Sequence, residues 1–137
     1  MRIGAVAQAA EIGVETVRFY ERRGLIVQPP KSRQGNARQY PLATVKRIQF
    51  IRQAQTLGFS LQEIEELLRL KETSTTDCAD VQAQASAKLV EVSQKIEQLK
   101  AKQHQLRALI SACPGEGNTT QCCSILNTID KGDVAEK

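Results

Sequence analysis

The amino-acid sequence predicts a mainly α-helical chain. It should fold as a winged helix-turn-helix, followed by a long helix that pairs antiparallel with a second copy in a coiled coil, and then by a cysteine-bearing loop. Three observations predict this architecture. Two short helical stretches flank the Gly-containing turn Glu11-Ile12-Gly13. Residues 79–111 contain no Pro or Gly and repeat apolar residues at heptad spacing. All four cysteines lie in the C-terminal part, at positions 78, 113, 122 and 123. The expected divisions are a winged helix-turn-helix domain over 1–71, a hinge over 72–78, a dimerisation helix over 79–111, a loop and short helix over 112–130, and a tail over 131–137.

The elements follow in order. Ile3 to Ala9 reads as a short helix and Val14 to Arg23 as a second, closed by Gly24. The second helix is expected to turn Glu15, Thr16 and Arg18 outward and Val17 and Phe19 toward a small core. Pro29 to Pro41 is rich in turn formers and reads as a hairpin wing carrying Arg33 and Arg38. Leu42 to Leu57 and Leu61 to Leu70 form a second helical pair about Gly58-Phe59-Ser60, where Ser60 and Glu63 fit a capping box. Glu72 to Asp77 is a polar Thr/Ser stretch that ends the domain.

In the long helix, apolar residues recur at Leu89, Val92, Ile96, Leu99, Leu106 and Ile110. A helix of about 33 residues spans roughly 50 Å, and so small a domain cannot cover its stripe. A partner helix from a second chain can, so a homodimer is expected.

Charge divides unevenly along the chain. Residues 1–58 carry ten Lys/Arg against three Asp/Glu, net +7, and the remainder carries nine against twelve, net −3, together the +4 of the whole chain. A basic module of this size suits a polyanion such as nucleic acid, because phosphate contacts supply most of that affinity. After Met1 and Arg2 the apolar stretch Ile3 to Val6 is too short for an export signal. No run approaches the roughly 20 apolar residues of a membrane span. The chain is therefore expected to be cytoplasmic and to have no membrane partner. No nucleophile with a positioned base, phosphate loop or His/Glu metal motif suggests an enzyme.

With a reducing cytosol expected, the four cysteines point to metal ligation or redox sensing rather than disulfides. Cys78 and Cys113 are five heptads apart and share the seam. Along one helix they stand about 52 Å apart, whereas a metal–sulfur bond is only about 2.3 Å. Antiparallel pairing instead brings Cys78 of one chain to Cys113 of the other, giving two equivalent sites. Gly115 and Gly117 let the following loop return to Cys122 and Cys123. Cys78, Cys113 and Cys122 then supply three thiolates, which select soft or borderline ions and bind more tightly as pH rises. A reading of another class makes the chain a thiol redox or metal-buffering protein with Cys122-Cys123 as the reactive pair, but neither role needs a helix-turn-helix. The single histidine, His104, reads as a solvated helix residue.

These residues resemble the MerR family of transcription regulators. The resemblance runs from about Ile3 to Ile129. It is carried by Val14-Glu15-Thr16-Val17-Arg18-Phe19-Tyr20-Glu21-Arg22 with Gly24-Leu25, by Arg38-Gln39-Tyr40, and by the stretch Ala54 to Ile64. It implies a DNA-binding domain in which the second helical pair acts as another wing, joined to an antiparallel coiled-coil dimer. It also implies regulation by distorting double-stranded promoter DNA so that RNA polymerase finds its elements aligned. By position, Thr16 and Arg18 would approach the major groove, Tyr20, Arg38 and Tyr40 the DNA backbone, and Arg33 the wing contacts.

Within the family, a cysteine at the place of Cys78 resembles divalent-metal sensors. The intervals from Cys78 to Cys113 and from Cys113 to Cys122 resemble those of mercury-responsive members, which implies Hg(II) as inducer. Cys123-Ser124-Ile125-Leu126 is similar to zinc sensors and makes Cys123 the alternative third ligand. Zinc sensors, however, carry a cysteine and a histidine where this chain has Pro114 and Asn118. Zn(II), Cd(II) and Pb(II) are the alternative ions.

Overall fold

The computed structural model describes residues 1–33, 35, 37–75, 77–117 and 123–132. Among them are six helices and no strand: α1 (Ile3–Ala9), α2 (Val14–Arg22), α3 (Leu42–Thr56), α4 (Leu61–Glu72), α5 (Cys78–Ala112) and α6 (Ser124–Lys131). The chain forms two compact units, Met1–Gln84 and Ala85–Lys137.

In the N-terminal unit, α1 and α2 meet across a tight turn. The Ile12 N–H returns to the Ala7 carbonyl at 2.9 Å, and Glu11 takes a left-handed φ of 58° to make the reversal. Arg52 of α3 reaches across and donates from Nη1 to the Glu11 carbonyl at 2.7 Å. The core then fills from each helix, with Val6 of α1, Val17 of α2, Ile48 and Ile51 of α3 and Ile64 of α4 all fully buried, together with Leu25 after α2. The inward face of α2 differs from expectation in one residue. Tyr20 joins Val17 in the core at 4% exposure, while Phe19 is only half-buried. Val17 and Tyr20 are three apart on one helical face, and that face is the one α2 turns inward.

Gly24 follows α2 with φ 75°, a left-handed conformation that a side chain would disfavour, and lets the Leu25 N–H return to the Tyr20 carbonyl at 3.0 Å. The expected hairpin wing is not a β-ladder among the described residues. The Gly35 N–H closes a turn onto the Ser32 carbonyl at 3.0 Å, and Arg38 Nε donates to the Pro29 carbonyl at 2.8 Å. A side chain thus ties the two arms of the connection. Pro29 and Pro30 offer no N–H for a ladder, which accounts for the difference. Gln34 and Asn36, in the tip of the expected wing, lie outside the described residues.

The α3–α4 corner matches expectation. Ser60 Oγ accepts from the Glu63 N–H at 3.2 Å, and Glu63 Oε1 accepts from the Ser60 N–H at 2.7 Å, forming both halves of the capping box. Helix α5 begins at Cys78 instead of Ala79, so this cysteine stands in its first turn rather than in the hinge. Asp77 Oδ1 caps that turn by accepting from the Ala79 N–H at 3.1 Å. Further along α5, Leu89, Ile96, Leu99, Leu106 and Ile110 of the expected seam are all exposed. No described helix is long and apolar enough to cross a membrane.

Candidate nucleic-acid interface and metal centre

An open groove of about 970 Å³ runs along the N-terminal unit, lined by residues of α1, α2 and the connection after α2. Among the described residues, Arg2, Arg18, Arg22 and Arg38 line it with a single carboxylate, Glu21, and with Tyr40. Four guanidiniums against one carboxylate make it a phosphate-attracting surface. Arg18 is exposed and pairs with exposed Glu15 one turn earlier at 2.8 Å.

Of the residues expected to contact DNA, the fold gathers Arg18, Arg38 and Tyr40 in this groove. Thr16 is half-buried in the first turn of α2, and Arg33 is exposed on the connection; neither lines the groove. Tyr20 and Tyr40 are core residues, each 4% exposed. The Tyr20 hydroxyl donates to Gln55 Oε1 at 3.0 Å and the Tyr40 hydroxyl to Glu21 Oε1 at 2.6 Å. Burial raises the Tyr20 hydroxyl above its ordinary pKa. Burial and the accepting Glu21 carboxylate push Tyr40 up to about 12. Both rings therefore hold the surface in shape from beneath. Arg2, Arg22 and Glu21 were not singled out from the sequence. Arg22 carried a readable signal, since it lies four residues from Arg18 on one helical face.

Two of the three described thiols, those of Cys113 and Cys123, lie in the C-terminal unit. Cys113, just past the end of α5, is half-buried, and its sulfur accepts hydrogen bonds from the backbone N–H groups of Gly115, Ser124 and Ile125 and contacts the Cys123 thiol. The Gly115 N–H does most to hold the Cys113 thiol below its ordinary pKa. Partial burial opposes it, and Cys123, Ser124 and Ile125 add to it. The last two N–H groups open α6, where unsatisfied donors and the helix dipole favour negative charge. Cys123 is the residue that caps α6.

The structure thus joins Cys113 to Cys123. Cys122, expected as the third ligand, lies outside the described residues. Cys78 is exposed and belongs to the N-terminal unit. Among the described residues no three metal-ligating side chains gather within one chain. None of the three described cysteines is in a disulfide.

Comparison with known proteins places these features in a family. Residues 1–71 match the model of the MerR HTH family regulatory protein, and residues 45–109 match the MerR DNA-binding model. The mercuric resistance operon regulatory protein of Pseudomonas fluorescens is 41% identical over 122 residues, 89% of this chain and 83% of that protein. The crystal structure of the transcription regulator PbrR691 from Ralstonia metallidurans CH34 in complex with lead(II) is similar with a TM-score of 0.83 and 35% identity, over 94% of this chain and 98% of that one. The dual-function regulator MerR of Bacillus megaterium MB1 in complex with mercury(II) is similar with a TM-score of 0.70 and 32% identity, over 95% and 99% of the two chains. The helix-turn-helix, the basic groove beside it and the agreement along nearly the whole chain make this protein a member of the MerR family of transcription regulators.

Proposed function

We propose that the chain is a cytoplasmic, metal-responsive regulator that binds promoter DNA as a homodimer and activates transcription when Hg(II) occupies a thiolate site. The observation that carries the metal reading is the Cys113 sulfur, set among three backbone N–H donors beside a second thiol. That donor set suits a soft divalent ion, because thiolate is the ligating form and the N–H groups favour thiolate. The ligands are Cys78 from one protomer with Cys113 and one of Cys122 and Cys123 from the other. The interval from Cys113 supports Cys122, and the Cys113 contact supports Cys123. The exposed apolar seam of α5 supports the dimer, since a second copy of the same stripe can cover it.

On the DNA side, Arg18 and Thr16 face the major groove, Arg38 and Arg33 take phosphates, and Tyr20 and Tyr40 keep these groups in register. Distorted promoter DNA is the form then presented to RNA polymerase. Pb(II) is a second reading, favoured by the likeness to the lead-bound regulator. Zn(II) and Cd(II) are further members of the same ligand class.

Competition among Hg(II), Pb(II), Cd(II) and Zn(II) for the purified chain, read together with promoter activation by each ion, tests the proposal. Hg(II) is expected to bind most tightly and to activate. A preference for Pb(II) in both assays replaces Hg(II) with the second reading. Dimers mixed from Cys78→Ser and Cys113→Ser chains should keep one intact site, because one end retains both native thiols. Loss of all tight binding in purified mixed dimers sinks the shared site.

A further inference from the structure

Ser124 Oγ is shielded from solvent and has no hydrogen-bond partner among the described residues. A buried hydroxyl without a partner is destabilising, so one retained in a fold calls for an explanation. Its surroundings are specific. Ser124 follows Cys123 at the start of α6, and its own N–H reaches the Cys113 sulfur. Its carbonyl accepts from Thr128 Oγ1 at 2.7 Å, so the backbone on both sides of the side chain is engaged. The orphan donor is therefore held at the same helix end as both thiols.

We propose that Ser124 is a positioning residue of the metal centre, whose hydroxyl donates a hydrogen bond to a cysteine sulfur once the site is loaded. The inference deepens the proposed function and rests on Cys113 being a ligand. Three thiolates around a divalent ion leave a net charge of −1. That surplus resides on the sulfurs, and a hydrogen bond donated to one of them disperses it; among the described residues of the metal-free chain the hydroxyl makes no such bond. Direct ligation by the hydroxyl is the weaker alternative, because an alcohol oxygen is a hard donor among soft ones. Acting through sulfur, the hydroxyl favours the thiolate-bound state and draws electron density from the ligand.

The test uses the full chain, with Cd(II) as probe and the sulfur-to-cadmium charge-transfer band as readout. Ser124→Ala should weaken Cd(II) binding about 10–100-fold, the usual effect of removing a group that supports a ligand, and should shift the band. Ser124→Thr should restore both. Metal-free Ser124→Ala should melt no lower than the parent, since it removes only an unpartnered hydroxyl. Equal affinity and an unmoved band in Ser124→Ala, beside a parent chain that binds, overturn this proposal alone. A drop in metal-free melting temperature overturns it too, by showing the hydroxyl already partnered. A parent chain with no band overturns the thiolate site together with it.

Discussion

The Tyr40 hydroxyl donates to Glu21 Oε1 at 2.6 Å, joining the end of the connection after α2 to α2 itself across 19 residues of sequence. Among the described residues Glu21 is the only carboxylate lining the basic groove, and Tyr40 is almost wholly buried. The bond therefore sets how far the Arg38 arm stands from the Arg18 face of α2.

Tyr40→Phe should lower stability by about 1.5–3 kcal/mol near pH 8, the range for a hydrogen bond to a charged group, and should weaken DNA binding through the displaced Arg38 arm. The stabilisation is also pH-dependent. The folded state holds this phenol up to about 12, above the unfolded value of about 10. Its contribution is thus complete below about pH 10 and lost as pH rises toward 12. Denaturation of parent and variant from pH 8 to 12 should show their difference closing across that window. A difference that stays constant assigns the loss to packing instead.

Glu11 offers a stability prediction of the opposite sign. It is the only described non-glycine residue with positive φ, at 58°, a conformation that costs an ordinary L-residue roughly 1–2 kcal/mol and that Asn tolerates better. Its side chain is exposed, and the structural bond it makes to Arg52 uses the carbonyl. Glu11→Asn should raise stability by up to about 1 kcal/mol, read as a higher urea midpoint, with DNA affinity unchanged. A lower midpoint gives the Glu11 side chain a stabilising role that its exposure does not reveal.

Much of this organisation was legible in the sequence, because local rules govern it. The Ser60–Glu63 capping box, the Gly24 stop after α2 and the uninterrupted α5 each depend on residues within a few positions of one another. The misses come from longer range. The inward turn of Tyr20 depends on Gln55, 35 residues away, as hydrogen-bond partner. Among the described residues the wing has no ladder because Pro29 and Pro30 offer no N–H, and the bond that ties its arms instead comes from Arg38, nine residues beyond Pro29. In the candidate metal site, heptad arithmetic singled out Cys78 and Cys113. The meeting of Cys113 with Cys123 and the N–H groups of α6 depends on a loop path that no periodicity encodes.

Arg18→Ala separates DNA contact from folding. The side chain is exposed, and its partner Glu15 is more exposed still, so the pair contributes little to stability, within about 1 kcal/mol. A lost base contact should nonetheless weaken operator binding by about 1–3 kcal/mol. Melting curves should overlay while operator affinity falls at matched salt. Unchanged operator affinity removes Arg18 from the interface.

Cys113 should behave as an acidic thiol in the metal-free, reduced protein. The N–H of Gly115 is the chief cause, opposed by partial burial and reinforced by Cys123 and the first N–H groups of α6. Because the folded value lies below the unfolded one, this thiolate stabilises the fold above the ordinary thiol pKa of about 8.5. That contribution is lost as pH falls through the folded value. Alkylation by iodoacetamide under chelator and reductant, followed at Cys113 by peptide mass, should titrate below the ordinary thiol value and return to it in denaturing urea. Cys123→Ser should raise the midpoint only part of the way, since the Gly115, Ser124 and Ile125 donors remain. Identical midpoints in folded and unfolded chains would remove the helix-end donors as the source of reactivity, and with them the reason Cys113 is primed for a soft metal ion.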